Sequence, residues 1–258
     1  MKALTELWTY RELLRALVAR NLKVRYQRSV IGLAWTFVNP LITVAILVLV
    51  FSQILRLGVP GYWAFLISGY FPWVFTLHTL GNSPAVVSGH SYMTRSLAFP
   101  AEVLVAATVI SRLVEFLIEL TLVSVVLLAF WHHGFPLSFL ALPFAVVLHT
   151  TLVIGIALPI SAAAVFFNDI EHAVPAALMF LGFLSPVYYP LSFVPESLRA
   201  VFLLNPFAAQ LSLFHAILYD GRFPQWSQWG LATLYSVAAI VVGMALFRWR
   251  RAYFAEIV

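Results

Sequence analysis

A chain of 258 residues that is 62% hydrophobic and only 10% charged lies far outside the soluble-domain range of about a quarter charged, which excludes a soluble enzyme and leaves a polytopic membrane protein. Its longest polar stretch is residues 1–30, too short for a motor domain, and the absence of cysteine removes disulfides, thiol nucleophiles and thiolate metal sites. The net charge of +5 is a matter of placement: seven of the fifteen basic residues precede position 29, and Arg248, Arg250 and Arg251 follow the last apolar run. By the positive-inside rule both termini are expected in the cytoplasm, which requires an even number of crossings. Basic residues recur to Arg28 and the following apolar run lacks a small-residue cleavage site, so the start is not read as a signal peptide.

Along a helical wheel, Leu7, Tyr10, Leu13, Leu14, Leu17, Val18 and Val24 fall on one side and Arg11, Glu12, Arg15 and Lys23 on the other. This predicts an N-terminal amphipathic helix of interfacial type. Leu22 and Arg25 fall on the wrong sides, which predicts a change of direction near them. Ile31 to Leu55 gives 25 residues without a charge, enough for a tilted first crossing, interrupted by Asn39 and Pro40. Tyr62 to Gly89, 28 uncharged residues with Gly69, Pro72, Gly81 and Pro84, predicts a long, irregular second crossing. His90 to Pro100 reads as a short loop helix able to meet a partner. The third crossing, Ala101 to about Phe130, holds Thr108, Arg112, Glu115 and Glu119 on one helical face. Charges there rarely face lipid and pair with one another or line a pathway. Leu137 to Phe167 is the fourth crossing.

Asn168, Asp169, Glu171 and His172 form a polar knot before a fifth crossing. After it come two apolar pieces, Leu191 to Leu204 and Pro206 to Tyr219, broken by Pro190, Pro195 and Pro206. A bilayer core of about 30 Å needs roughly 20 helical residues, so these pieces cannot both span. They read as paired re-entrant helices, and such backbone is tolerated at membrane depth only against protein or a water-lined cavity. That marks a candidate gate. Trp226 to Phe247 is the sixth crossing, flanked by Trp226, Trp229 and Trp249 in the manner of aromatic belts. The fold class is therefore an all-α polytopic membrane protein of six crossings, one domain over residues 1–258, with an interfacial helix in 1–30, a membrane domain in 31–248 and a tail in 249–258.

No phosphate-binding glycine loop and no HExxH motif occurs, so nucleotide hydrolysis and zinc proteolysis are not expected of this chain. His132 and His133 are adjacent, and His78, His149 and His215 are scattered, so no metal set is expected. Arg112, Glu115 and Glu119 fit an internal ion pair better than a proton relay, because an unpaired charge at the membrane centre costs about 2.5 to 3.5 kcal/mol. Aromatic residues are the more specific clue. Tyr188, Tyr189, Phe193, Phe202 and Phe207 crowd the candidate gate, while Tyr62, Trp63, Tyr70, Phe71, Trp73 and Phe75 crowd one half of the second crossing. Aromatic faces suit the C–H surfaces of sugars, although interface belts and core packing also use them.

The runs RNLKVRYQRSVIGLAWTFVNPL (Arg20 to Leu41), FLISGYFPWVF (Phe65 to Phe75) and FNDIEHAVPAALMFLGFLSPVYYP (Phe167 to Pro190), followed by NPF (Asn205 to Phe207), resemble the membrane subunit of type-2 polysaccharide ABC exporters. These permeases export O-antigen, capsule or wall teichoic acid. Asn168 stands where that family usually has Arg. The resemblance implies a homodimer in the bacterial inner membrane with two separate ATPase subunits that bind the ATP, so this chain is not an enzyme and holds no cofactor. It implies a channel for a lipid-linked polysaccharide, O-antigen first among them, and no nucleic acid partner. It implies that His90 to Pro100 couples to the ATPase and that the paired segments form an outer gate. The aromatic clusters then make Tyr62, Trp63, Phe71, Trp73, Tyr188, Tyr189 and Phe193 the candidate pathway and gate residues. The proline-ended loop helix makes Tyr92, Met93, Leu97, Phe99 and the adjoining Glu102 the candidate ATPase contacts. Two other readings compete: a membrane enzyme on polyprenyl-linked sugars using Asp169, Glu171 and His172, and a proton-coupled carrier using the third-crossing charges.

Overall fold

Long apolar runs satisfy their backbone in hydrocarbon through helical hydrogen bonds, and the chain follows that rule. The computed structural model describes residues 9–26, 34–88, 101–132 and 134–251, and these residues contain helices and turns without a strand. Ten α-helices follow in order: α1 (Arg11–Tyr26), α2 (Trp35–Val48), α3 (Tyr62–Asn82), α4 (Pro84–Ser88), α5 (Glu102–Leu127), α6 (Leu142–Ala164), α7 (Ile170–Phe183), α8 (Glu196–Leu204), α9 (Pro206–Phe214) and α10 (Trp226–Arg251). Helices α2, α5 and α9 each continue into a π-helical turn, at Leu49–Ile54, Leu128–His132 and His215–Tyr219.

Among the described residues four helical segments are long and apolar enough to cross a membrane: Phe37–Ile54, Glu102–His132, Leu137–Ala164 and Trp226–Arg250. A fifth candidate is the pair Glu196–Phe202 and Pro206–Tyr219, bent by 98°. The chain is thus a multi-pass membrane protein with four to five candidate crossings, short of the six expected. The differences lie at the second and fifth expected crossings. Helix α3 has 21 residues, about 31 Å at 1.5 Å per residue, but its serine, threonine, histidine and proline content lowers its apolarity. Helix α7 has 14 residues, only about 21 Å.

The composition of α3 follows from its position. It packs against α2, α5, α6, α7 and α9 and buries Ala64, Leu66, Phe71 and Leu80 almost completely. A helix surrounded by protein need not satisfy lipid, so Ser68, Thr76 and Thr79 are also fully buried within it. The ring of Phe75 stacks on Phe116 of α5 at 5.0 Å, and Phe116 meets Phe214 of α9 edge to face. The centre of the bundle lies at this junction.

The most extensive pairing is α6 with α10. A methyl group placed on Gly243 would fall 1.9 Å from the carbonyl oxygen of Gly155, and one on Gly155 would fall 2.4 Å from the backbone of Ala239. The two backbones therefore touch, the small-residue packing that membrane helices use where no hydrophobic effect draws them together.

Helix α1 lies along α5, with Leu17 buried and Leu13, Leu14 and Val18 packed on the core as the wheel predicts. The expected change of direction is absent, since α1 runs unbroken to Tyr26. Val24 is exposed rather than inward. Arg25 occupies the apolar side because a carboxylate awaits it there.

Candidate functional site

That carboxylate is Glu115. Its Oε2 accepts from Arg112 Nη1 at 3.0 Å, one helical turn back on α5, and its Oε1 accepts from Arg25 Nη1 of α1. Glu115 is 5% exposed and Arg112 14%, so the pair is withdrawn from water. Four residues along α1, Asn21 donates to Ser111 Oγ at 3.4 Å. Glu119, also buried, continues the same face one turn beyond Glu115. One carboxylate shared by two guanidiniums thus clamps the N-terminal helix to α5.

The bent pair α8–α9, which leads towards Arg222, is built around Asn205. Its side-chain oxygen caps α9 by accepting from the backbone N–H of Phe207 at 3.0 Å, with Pro206 at the first helical position where no N–H is needed. The Asn205 amide nitrogen donates to Leu184 O at 3.0 Å and to Ser185 Oγ at 2.8 Å. A single side chain therefore fixes both the bend and the exit from α7. Phe207 meets Trp73 of α3 edge to face at 5.7 Å, which seats α9 on the central helix.

The π-helical turn after α9 leaves carbonyls without regular partners, and donors from the α5–α6 connection meet three in succession. Ser138 Oγ donates to Ile217 O at 3.3 Å, His132 Nε2 to Leu218 O at 2.7 Å, and Trp131 Nε1 to Tyr219 O at 2.8 Å. The Tyr219 hydroxyl donates to Pro60 O at 2.6 Å, and its ring lies parallel to Trp131 at 5.3 Å. His215 stacks on Phe65 at 4.2 Å, donates from Nε2 to Pro186 O at 2.7 Å, and places Nδ1 2.8 Å from the Ser68 hydroxyl. A side chain at Gly69 would collide with this imidazole, at 2.6 Å from Nε2. His149 is pinned likewise, its Nε2 donating to Pro72 O at 3.1 Å. A bond to a carbonyl puts the proton on Nε2 in both rings.

With this geometry in view, the family model for ABC-2 type transporter membrane proteins matches residues 12–219, from the clamped helix to the end of the π turn. The chain belongs to the ABC-2 type transporter family. It is 31% identical, over 99% of both chains, to the O-antigen export system permease protein RfbA of Myxococcus xanthus. It is 26% identical to RfbA of Klebsiella pneumoniae over 95% of each, and 22% identical to the polysialic acid transport protein KpsM of Escherichia coli over 91% and 92%.

In this ABC-2 family member the aromatic residues singled out in sequence occupy distinct places. Tyr62 is buried at the first turn of α3 and donates to the carbonyl of Tyr188 at 2.7 Å. Trp63 meets Trp131 edge to face, and with Phe71 it lines an apolar cavity of about 500 Å3 between α2, α3 and α5. Trp73 lies in the core against Gly182 and Phe207. Tyr188 and Tyr189 are half-buried in the turn after α7, where the Tyr189 hydroxyl donates to Phe183 O, and Phe193 is exposed beside them. Tyr62 and Tyr188 are brought together, while Phe71 and Trp73 lie about two to three turns further along α3. Tyr92, Met93, Leu97 and Phe99 lie outside the described residues, as does His133. Glu102 is buried at the start of α5. Asp169, Glu171 and His172 are exposed at the start of α7, and among the described residues no cluster of His, Asp and Glu has the geometry to hold a metal.

Sequence reasoning missed Asn205, His132, His149 and His215 as structural keystones. The Asn-Pro pair does signal a capped helix start. The histidines carry no local signal, because their partners are backbone carbonyls from 29 to 86 positions away.

Proposed function

We propose that this chain is the channel-forming membrane subunit of an ATP-driven exporter that moves a lipid-linked polysaccharide, with O-antigen as the leading substrate, across the bacterial inner membrane. The observation that carries this reading is the end-to-end similarity, over 99% of both chains, to an O-antigen export permease. Two copies of the chain act with two copies of a separate ATPase subunit. The dimer follows from the resemblance to polysaccharide permeases; the exposed apolar faces of α2 and its π turn, at Ile42, Ile46 and Leu49, and of α7, at Met179, Phe180 and Phe183, are open to a second copy or to lipid. Counting α3 and α7 as crossings restores the even number, with both termini and the Arg248 end cytoplasmic and Arg56, His132 and Arg222 outside.

In this reading the bent pair α8–α9 is re-entrant and Tyr62, Trp63, Phe71, Trp73, Tyr188, Tyr189 and Phe193 form the pathway and gate, excluding water when closed and stacking on sugar when open. The segment 90–100 docks on the ATPase through Tyr92, Met93, Leu97 and Phe99, with buried Glu102 anchoring it from behind. The Arg112–Glu115 pair is structural. The test is complementation of a bacterial strain lacking its own O-antigen permease, by this chain together with its ATPase. Polysaccharide at the cell surface and co-purification of the two subunits are expected. A cell that keeps its polysaccharide inside although both subunits assemble would overturn the reading. Because the chain has no cysteine, single cysteines at Arg95 and Arg222 test orientation: only the latter is expected to react with an impermeant thiol reagent.

A further inference from the structure

Beside the bent pair, at the Arg222 end, lies a cavity of about 810 Å3, inside the roughly 300 to 1,000 Å3 range of small-molecule sites. Its floor is apolar, made by Ala208, Ala209 and Ala216 of α9 and its π turn. Two aromatic rings flank it. Tyr219 is held rigid by its bond to Pro60 O and its stack on Trp131, and Phe193 is 48% exposed. The rim is polar: Ser192 on one side, and Asp220, Arg222, Gln225, Ser227 and Gln228 on the other.

These rim groups are already oriented. Arg222 Nε donates to Asp220 Oδ2 at 3.0 Å, and its Nη1 reaches Gln228 Oε1 at 3.5 Å. The backbone N–H of Gln225 also donates to Gln228 Oε1, at 2.8 Å. With its oxygen taken twice, the Gln228 side chain is fixed so that its NH2 donors remain for a ligand. Asp220 keeps Oδ1 as an acceptor, and Arg222 keeps further N–H donors. The charges oppose each other at contact distance, so the rim offers no net positive field and a phosphate here would meet the Asp220 carboxylate. Planar donors and acceptors set around aromatic faces suit an uncharged polyol, whose hydroxyl pairs take the hydrogen bonds while its C–H face lies on a ring.

We propose that this cavity binds a neutral sugar unit of the exported chain, with Arg222, Asp220 and Gln228 taking its hydroxyls and Tyr219 and Phe193 its C–H face. The assignment rests on the polysaccharide-export reading above and adds to it a holding site beside the bent pair, where an emerging glycan is retained as Phe193 and Pro190 move.

The test uses the full-length chain in lipid nanodiscs and saturation-transfer NMR with three probes: methyl α-mannopyranoside, methyl β-galactopyranoside and methyl α-rhamnopyranoside. Transfer to the ring protons of at least one glycoside is expected, unaffected by added inorganic phosphate. Gln228→Ala should cut it about fivefold, the effect of one lost hydrogen bond. Ser227→Trp, an exposed position that tolerates the bulk, should abolish it by filling the mouth. Transfer to none of the probes, transfer unchanged in both variants, or displacement by phosphate would each overturn the site. A native chain that restores surface polysaccharide yet binds no glycoside retires the cavity and leaves the export reading standing. One that binds a glycoside but restores nothing removes the export reading instead.

Discussion

Two regions of this bundle handle buried polar groups in opposite ways. At the α1–α5 junction the chain withdraws full charges from water and relies on one carboxylate, Glu115, to hold Arg25 and Arg112 together. At the Arg222 end it breaks helices, and neutral donors answer the freed carbonyls one by one: Ser138, His132 and Trp131 on the π turn, and Asn205 on the exit from α7. The first arrangement stands or falls as a unit, because removing one ion strands the others in a low dielectric. The second degrades by single bonds, each of modest net value. A junction meant to stay closed suits the first, and a segment meant to rearrange suits the second.

The sharpest way to break the comparison is Glu115→Ala. Arg25 and Arg112 then lose the carboxylate they share, and a loss of about 3–5 kcal/mol is expected, read as a lowered unfolding temperature of the detergent-solubilised protein. Native stability in this variant would mean that the clamp is solvated rather than buried. Next in size is Asn205→Ala, which removes the α9 cap and two donated bonds together, about 2 kcal/mol. Asn205→Ser separates these roles: it keeps a neutral cap acceptor and forfeits the amide bonds to Leu184 and Ser185, so its unfolding temperature should fall between native and Ala.

A smaller effect, about 1 kcal/mol for one bond, is expected of His132→Phe, which keeps the ring's contact with Phe139 and loses only the donor to Leu218 O. A cost as large as that of Glu115→Ala would show that the capped turn is a single cooperative unit after all. Smallest of all should be the charge-free variant Arg25→Met, Arg112→Leu, Glu115→Leu. Buried ion sets replaced by apolar residues of similar volume are often neutral or better, so yield and unfolding temperature should return to within about 1 kcal/mol of native. Failure to recover would assign the cluster a role beyond clamping, and recovery of folding without recovery of transport would place that role in the pathway.

Several of these features were legible beforehand because they are local. The i, i+3 spacing of Arg112 and Glu115 puts them on one face of any helix, and the Asn-Pro start of α9 reads as a cap. Arg25 looked misplaced because its partner lies 90 residues away; the wheel registered the anomaly and misread it as a bend. Helix α7 is counted as a crossing from its apolarity, but hydropathy does not register where Ser185, Pro186 and Asn205 turn the chain after Phe183. The irregularity of the second crossing is legible in its glycines and prolines, whereas the enclosure of α3 by its neighbours, which explains its polar content, is not.

By itself the sequence determined the helical class, the order of the helices, the break at Pro206 and the resemblance to polysaccharide permeases, since uncharged runs, proline positions and motif order act within a few residues of chain. Only the tertiary structure decided which backbones touch at Gly155 and Gly243, which guanidinium completes the Glu115 clamp, and which side chains answer the carbonyls of the π turn. Those choices depend on packing between segments far apart in sequence. A periodicity reports which face of a helix is apolar, and carries no information about what stands opposite.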